Sequence, residues 1–118
     1  MSDKITVYQK PTCSKCREAL SILKERGVEF EAINYYETPV TKDELRGLLD
    51  KLGISPRELL RKGEEVFRAL HLSDSEISDE GLIDLMIQYP DLMQRPIVVR
   101  GNKAVLARPA ENVCELLD

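Results

Sequence analysis

The stretch Ile5–Ile33, ITVYQKPTCSKCREALSILKERGVEFEAI, decides the fold. Ile5 to Tyr8 is a short β-branched and aromatic run ended by Gln9-Lys10-Pro11, which predicts a first strand delivering the chain into a turn. From Ser14 the apolar positions Cys16, Ala19, Leu20 and Leu23 repeat at helical spacing, and Gly27 follows a basic last turn containing Lys24 and Arg26. Val28 to Ile33 reads as a second strand, so the opening is a β-α-β unit with a parallel, right-handed crossover. Cys13 therefore stands at the entrance to the helix.

Working outward, Thr41 with Glu44 three places on is a capping box opening a helix whose apolar stripe is Leu45, Leu48, Leu49 and Leu52, closed by Gly53. Ser55-Pro56 with Glu58 repeats the device and predicts a short helix carrying Leu59, Leu60 and Arg61 to about Gly63. A further short helix is expected over Glu65 to Leu70, and another from Ser78 through Leu82, Leu85, Met86 and Tyr89 to the stop at Pro90. The acidic stretch Asp74 to Glu80 reads as a loop and solvated helix cap. Thr41 to Tyr89 is thus expected to be helix and turn throughout. Pro96-Ile97-Val98-Val99, the Gly101-Asn102 pair and Lys103 to Ala107 predict a β-hairpin, after which Pro109 opens a final helix with Val113, Leu116 and Leu117. The order β-α-β, helices, β-β-α matches a thioredoxin-like α/β sandwich with a helical insertion.

At 118 residues, with 42% apolar and 32% charged side chains, the expectation is one globular domain spanning residues 1–118. No apolar run approaches the ~20 residues of a membrane helix. Residues 1–10 hold no apolar signal region, which makes the cytoplasm the expected address. Seventeen basic against 21 acidic residues give a net charge of −4 without a basic block, so direct nucleic-acid binding is disfavoured. Three cysteines are too few, and odd in number, for a secreted disulfide scaffold.

Cys13-Ser14-Lys15-Cys16 is the sharpest feature. At a helix N-terminus the first sulfur faces free N–H groups and the positive end of the dipole, which favour the thiolate. Lys10, Lys15 and Arg17 add nearby positive charge. A thiolate is the nucleophile in every thiol exchange, and Cys16, one turn further in, can reach back to resolve a mixed disulfide. Simple packing of Cys16 on the apolar stripe is the plain alternative. A structural zinc site would want four ligands, and only Cys114 and the single His71 remain to offer. His71 reads as solvated in a polar turn, Cys114 as packing, and Met86 and Met93 as core filler.

Arginines form a second constellation. Arg95 precedes Pro96, a position in this fold that is often cis and beside the redox cysteine. Arg108 precedes Pro109, and Arg61 ends a short helix. With the thioredoxin-like topology the Arg95 loop lies next to Cys13, and guanidinium groups gathered there would bind a tetrahedral oxyanion through charge-assisted forks. Ordinary surface arginine is the competing reading for any one of them.

Tyr8-Gln9-Lys10-Pro11-Thr12-Cys13, Tyr36-Glu37-Thr38-Pro39, Leu59-Leu60-Arg61-Lys62, Leu82-Ile83-Asp84, Arg95-Pro96-Ile97-Val98-Val99 and Ala107-Arg108-Pro109 together resemble the glutaredoxin-linked arsenate reductase family. The resemblance implies that Cys13 attacks arsenate while Arg61, Arg95 and Arg108 hold the oxyanion. It implies no metal and no tightly bound cofactor, with glutathione and glutaredoxin as the source of electrons. Two departures stand out. Many members carry histidine where this chain has Gln9, and the glutathione-dependent enzymes typically lack a cysteine at Cys16. With Cys16 present, a Cys13–Cys16 disulfide could form and thioredoxin could regenerate the enzyme. The same Cys-x-x-Cys is shared with Spx-type regulators that bind RNA polymerase, although Val105 to Pro109 look like the enzymes. A general dithiol oxidoreductase is the third reading.

Overall fold

The computed structural model describes residues 4–72 and 76–117. The chain forms two compact units, one from Met1–Pro39 with Arg95–Asp118 and the other from Val40–Gln94.

In the first unit, β1 (Ile5–Gln9) alternates buried and half-buried residues, so Ile5, Val7 and Gln9 share one face. The chain turns into α1 (Ser14–Glu25), which buries Cys16, Ala19 and Leu23. Gly27 ends it at φ +67°, a backbone conformation that costs glycine little. β2 (Phe30–Asn34) then pairs parallel with β1, from Ile5 opposite Phe30 to Gln9 opposite Asn34, which realises the expected crossover. β3 (Ile97–Arg100) runs antiparallel to β1 on its other side, and the Gly101-Asn102 turn leads into β4 (Lys103–Leu106). The four-stranded sheet has the order β2-β1-β3-β4. Ile5, Val7, Ala19, Leu23, Val98, Ala107, Ala110, Val113 and Leu116 form one core between sheet and helices. This mixed sheet, with its parallel first pair and antiparallel hairpin, is the thioredoxin-like α/β arrangement.

The final helix differs from the expected α-helix. Ala110–Leu116 is a 3-10 helix, and its buried residues Ala110, Val113 and Leu116 recur every third position. That spacing places all three on one face of a helix with three residues per turn, whereas an α-helix would rotate them off the core. Leu117 lies beyond its end.

The second unit is helical. α2 (Lys42–Leu52) opens with the full capping box: Thr41 Oγ1 accepts from the Glu44 N–H at 3.1 Å, and Glu44 Oε1 accepts from the Thr41 N–H at 3.2 Å. Leu45, Leu48 and Leu49 are buried, and Gly53 closes the helix at φ +71°. α3 (Pro56–Leu59) is capped by Ser55, α4 is Glu65–Ala69, and α5 (Asp79–Gln88) is capped by Ser78, which accepts from the Gly81 N–H. The Lys42 ammonium reaches Asp84 at 2.9 Å and Arg46 pairs with Glu80, so two cations of α2 hold two carboxylates of α5. Of the acidic stretch from Asp74, the first two residues lie outside the described ones, and Glu76 to Ser78 lead into α5.

Two expectations are corrected here. α3 stops at Leu59, so Leu60 and Arg61 are not helical. Leu60 bridges Met93 as isolated β structure, the Arg61 N–H donates to the Leu92 carbonyl at 2.7 Å, and the Gln94 N–H donates to the Leu59 carbonyl at 2.9 Å. Pairing with the 92–94 segment takes the backbone groups that helix continuation would have used. The middle stretch is therefore not purely helix and turn.

Replacing Thr41 with Ala removes one half of the capping box and leaves the first N–H groups of α2 without a side-chain acceptor. The expected cost is about 1 kcal/mol, read as a lower urea midpoint at unchanged slope. An unaltered midpoint would show that the cap contributes nothing.

Candidate active site

Cys13 is the N-cap residue of α1, with extended backbone at φ −84° and ψ 123°. Its N–H donates to the Lys10 carbonyl at 2.9 Å, and its own carbonyl accepts from the Arg17 N–H at 3.1 Å, which ties the loop from β1 to the first turn of the helix. Cys13 is half-buried; Cys16, three residues on and facing the core, is fully buried. Both are free thiols.

The two sulfurs sit in opposite electrostatic circumstances. Burial alone would push the Cys13 thiol up, but it is outweighed by the Cys16 N–H, the Cys16 thiol, the Lys15 N–H and the charge of Arg95, and the net shift is below the ordinary thiol value. The Cys13 sulfur does not make a strict capping hydrogen bond, yet these N–H groups lie close enough to favour the thiolate. Cys16 is pushed up to about 12, first by burial and then by the Cys13 sulfur, against the Lys10 N–H and Arg95, which pull the other way. Cys13 is thus the more acidic of the two sulfurs, and Cys16 the thiol that stays protonated beside it.

Arg95 is 6% exposed and lies one residue ahead of β3, with Pro96 between. The β1–β3 register sets Tyr8 opposite Ile97, which puts the Arg95–Pro96 segment level with the end of β1, where the Cys13 loop begins. The Arg95–Pro96 and Arg108–Pro109 peptides are both cis. Arg108 Nη1 donates to the Arg95 carbonyl at 3.1 Å, so the two arginines meet across the open end of the hairpin. Burial would lower the Arg95 pKa, but Tyr35, Tyr36 and Cys13 together raise it, and the guanidinium stays charged. Four of the residues singled out from sequence, Cys13, Cys16, Arg95 and Arg108, therefore belong to the first unit. Arg61 belongs to the second, where its Nη1 lies 3.3 Å from Glu64 Oε1.

Of the nearby lysines, Lys15 pairs with Glu18 at 3.6 Å and Lys10 Nζ lies 4.7 Å over the Tyr36 ring. Arg95, more distant in sequence, adds its positive charge at Cys13. The tyrosines themselves were missed. Tyr36 belongs to a motif noticed in the sequence without a role attached, and Tyr35 beside it is 2% exposed. His71 is exposed in a turn at φ +56°, Met86 and Met93 are buried, and Cys114 is half-buried with Arg26 Nη2 3.6 Å from its sulfur. Among the described residues no group of three His, Cys, Asp or Glu side chains is placed to hold a metal ion, and no helix is long and apolar enough to cross a membrane.

A thioredoxin-like sheet with an acidified thiol at the head of its first helix and a protonated thiol one turn behind it defines a thiol-redox protein. The ArsC family profile matches residues 8–116. At 48% identity over 118 residues the chain is similar to Uncharacterized protein YfgD of Escherichia coli K12, covering 99% of each. At 44% identity over 113 residues it is similar to the arsenate reductase of the same organism, covering 96% of this chain and 80% of that one. The solved arsenate reductase from Vibrio cholerae superposes with a TM-score of 0.93 at 38% identity, covering 99% of this chain and 100% of that one. The chain belongs to the ArsC family.

The difference between the sulfurs has a direct readout. Peptide-resolved iodoacetamide labelling across pH is expected to modify Cys13 with a midpoint below that of an ordinary thiol, because its folded-state pKa is depressed and the thiolate persists as pH falls. Cys16 should label only after denaturation. Labelling of both at one midpoint would reverse the assignment.

Proposed function

We propose that the protein is a thiol-dependent arsenate reductase in which Cys13 is the nucleophile. The observation that carries this reading is a depressed Cys13 thiol beside a buried guanidinium, in a chain of the ArsC family whose similar curated relatives include arsenate reductases. A thiolate and a dianionic oxyanion repel each other, so the reaction needs fixed positive charge where they meet. Arg95 supplies it at the sulfur, and the Arg108 side chain braces the Arg95 backbone from which that guanidinium projects. We assign Arg108 and, on its sequence motif alone, Arg61 to the same anion.

The Cys13 sulfur displaces an oxygen of arsenate, which leaves as water after protonation, and forms a sulfur–arsenic(V) bond. The Cys16 sulfur then attacks the Cys13 sulfur. The electrons of the sulfur–arsenic bond pass to arsenic, arsenite leaves, and a Cys13–Cys16 disulfide remains. Two thiols are oxidised as arsenic(V) becomes arsenic(III), so the electrons balance. The order of events follows from charge. Two of the influences that raise Cys16 come from the Cys13 sulfur, by hydrogen bonding and by its negative charge. Both vanish when that sulfur is bound to arsenic, so Cys16 becomes a better nucleophile only once there is an adduct to resolve. No cofactor is required; a thiol reductant, either thioredoxin or glutathione with glutaredoxin, restores the dithiol.

Arsenate-dependent oxidation of NADPH, coupled in one arm through thioredoxin and in the other through glutathione and glutaredoxin, tests the reading. Silence in both arms would end it. Cys13→Ser should abolish turnover. Cys16→Ser should remove the thioredoxin-coupled rate while sparing a glutathione-coupled one, and equal effects in both arms would refute its role. Arg95→Ala should lower kcat/KM by about 10- to 100-fold, the loss of a charge-assisted contact worth roughly 1.5–3 kcal/mol.

A further inference from the structure

β2 ends at Asn34, and the next two residues are Tyr35 and Tyr36. The turn that follows is tightly held. Asn34 Oδ1 accepts from the Tyr36 N–H at 3.0 Å, and the Asn34 carbonyl accepts from the Glu37 N–H at 3.0 Å and the Thr38 N–H at 2.9 Å. Because Asn34 pairs with Gln9 in the parallel ladder, this turn and the Lys10–Cys13 loop emerge side by side from the same ends of neighbouring strands. The two tyrosine rings lie 4.9 Å apart at 36°, and Lys10 Nζ sits 4.7 Å over the Tyr36 ring. The Lys10 carbonyl in turn accepts the Cys13 N–H.

Within this cluster Tyr35 is the buried member, 2% exposed, and its hydroxyl stands against the guanidinium of Arg95, itself 6% exposed. We propose that Tyr35 is a positioning residue, whose phenol fixes the Arg95 guanidinium beside the Cys13 sulfur. Packing by itself would be served as well by phenylalanine, since a phenol taken out of water loses its hydration unless a polar partner replaces it. The partner here is Arg95. The contact falls short of strict hydrogen-bond geometry and is a charge–dipole contact between a planar cation and a phenolic oxygen. Burial pushes the Tyr35 phenol up to about 12 despite the opposing pull of Arg95, so at neutral pH it is uncharged and does not compete with the sulfur for the guanidinium as an anion would.

The division of labour is spatial. Arg108 holds the Arg95 main chain through its carbonyl, a contact that does not reach the guanidinium. Tyr35 restrains the far end of that side chain. Arg95 can then act on Cys13 before any anion is bound and present the same charge to an incoming oxyanion without first searching for its rotamer.

The inference rests on Cys13 being the nucleophile and deepens the reading above, but its test uses no arsenate. Tyr35→Phe, Arg95→Ala and the double variant are compared by peptide-resolved iodoacetamide labelling of Cys13 across pH, with thermal melting to confirm folding. Tyr35→Phe is expected to move the labelling midpoint upward and slow labelling at neutral pH by about two- to tenfold, the range of one modest polar contact. In the Arg95→Ala background the same change should move it no further, because the phenol acts through the arginine. An unchanged midpoint in Tyr35→Phe, or an equal shift with and without Arg95, overturns the proposal. A normal midpoint shift in a protein that fails to reduce arsenate would leave the positioning role standing and remove only the substrate.

Discussion

Making room for negative charge on a half-buried sulfur is the constraint around which the first unit is arranged. Removing a thiolate from water is unfavourable, and at Cys13 burial is the largest single influence, acting in the wrong direction. The thiol is nonetheless acidified, because donors converge from separate parts of the chain: the N–H groups of Lys15 and Cys16, the Cys16 thiol and the guanidinium of Arg95. The sheet explains the convergence. A parallel β1–β2 pair requires a crossover, so a helix must begin where β1 ends, and its unpaired first N–H groups are delivered to that point. An antiparallel β3 must begin where β1 ends as well, so the Arg95–Pro96 segment ahead of it is delivered to the same point. Topology, more than any local preference, brings residue 95 to residue 13.

The two cysteines differ because α1 turns them to different sides. Position 13 is outside the helix, where its sulfur meets the helix's own donors. Position 16 is on the buried stripe with Ala19 and Leu23, where nothing compensates for the loss of water as fully. A single residue spacing therefore creates two thiols of unlike acidity. Exposure acts in the same sense. Cys13 is the half-buried and Cys16 the fully buried member of the pair.

Much of this was legible in the sequence because the signals were local. The β-α-β opening rests on strand alternation, the i, i+3, i+7 stripe from Cys16 and the glycine at 27. The capping box at Thr41 and the Gly101-Asn102 turn are equally short-range, and each occurs as read. What failed was decided by distant partners. Leu60 and Arg61 follow a well-capped helix start, and only the 92–94 segment, some thirty residues on, turns them into extended chain. The 3-10 character of Ala110–Leu116 is set by the core it faces, although its every-third-residue spacing was present to be read. Arg95, distant in sequence, adds its charge at the Cys13 sulfur, a proximity that only the paired strands create. Tyr35 carried no signal beyond being aromatic at the end of a strand, since a phenol's partner is a matter of tertiary placement.

Gln9 completes the argument about charge. It continues the buried face of Ile5 and Val7 at the end of β1, is 7% exposed, and its Oε1 accepts no hydrogen bond among the described residues. The family resembled in sequence often has histidine at this position, a group whose protonation would change with pH in the range where the enzyme works. An amide cannot carry charge. In this chain, then, the electrostatics around Cys13 come from groups that do not titrate near neutrality, namely backbone N–H dipoles and a guanidinium, together with the cysteine pair itself. The second cysteine, through its thiol and its N–H, supplies part of the acidity at Cys13 that an imidazole at position 9 would otherwise have to provide.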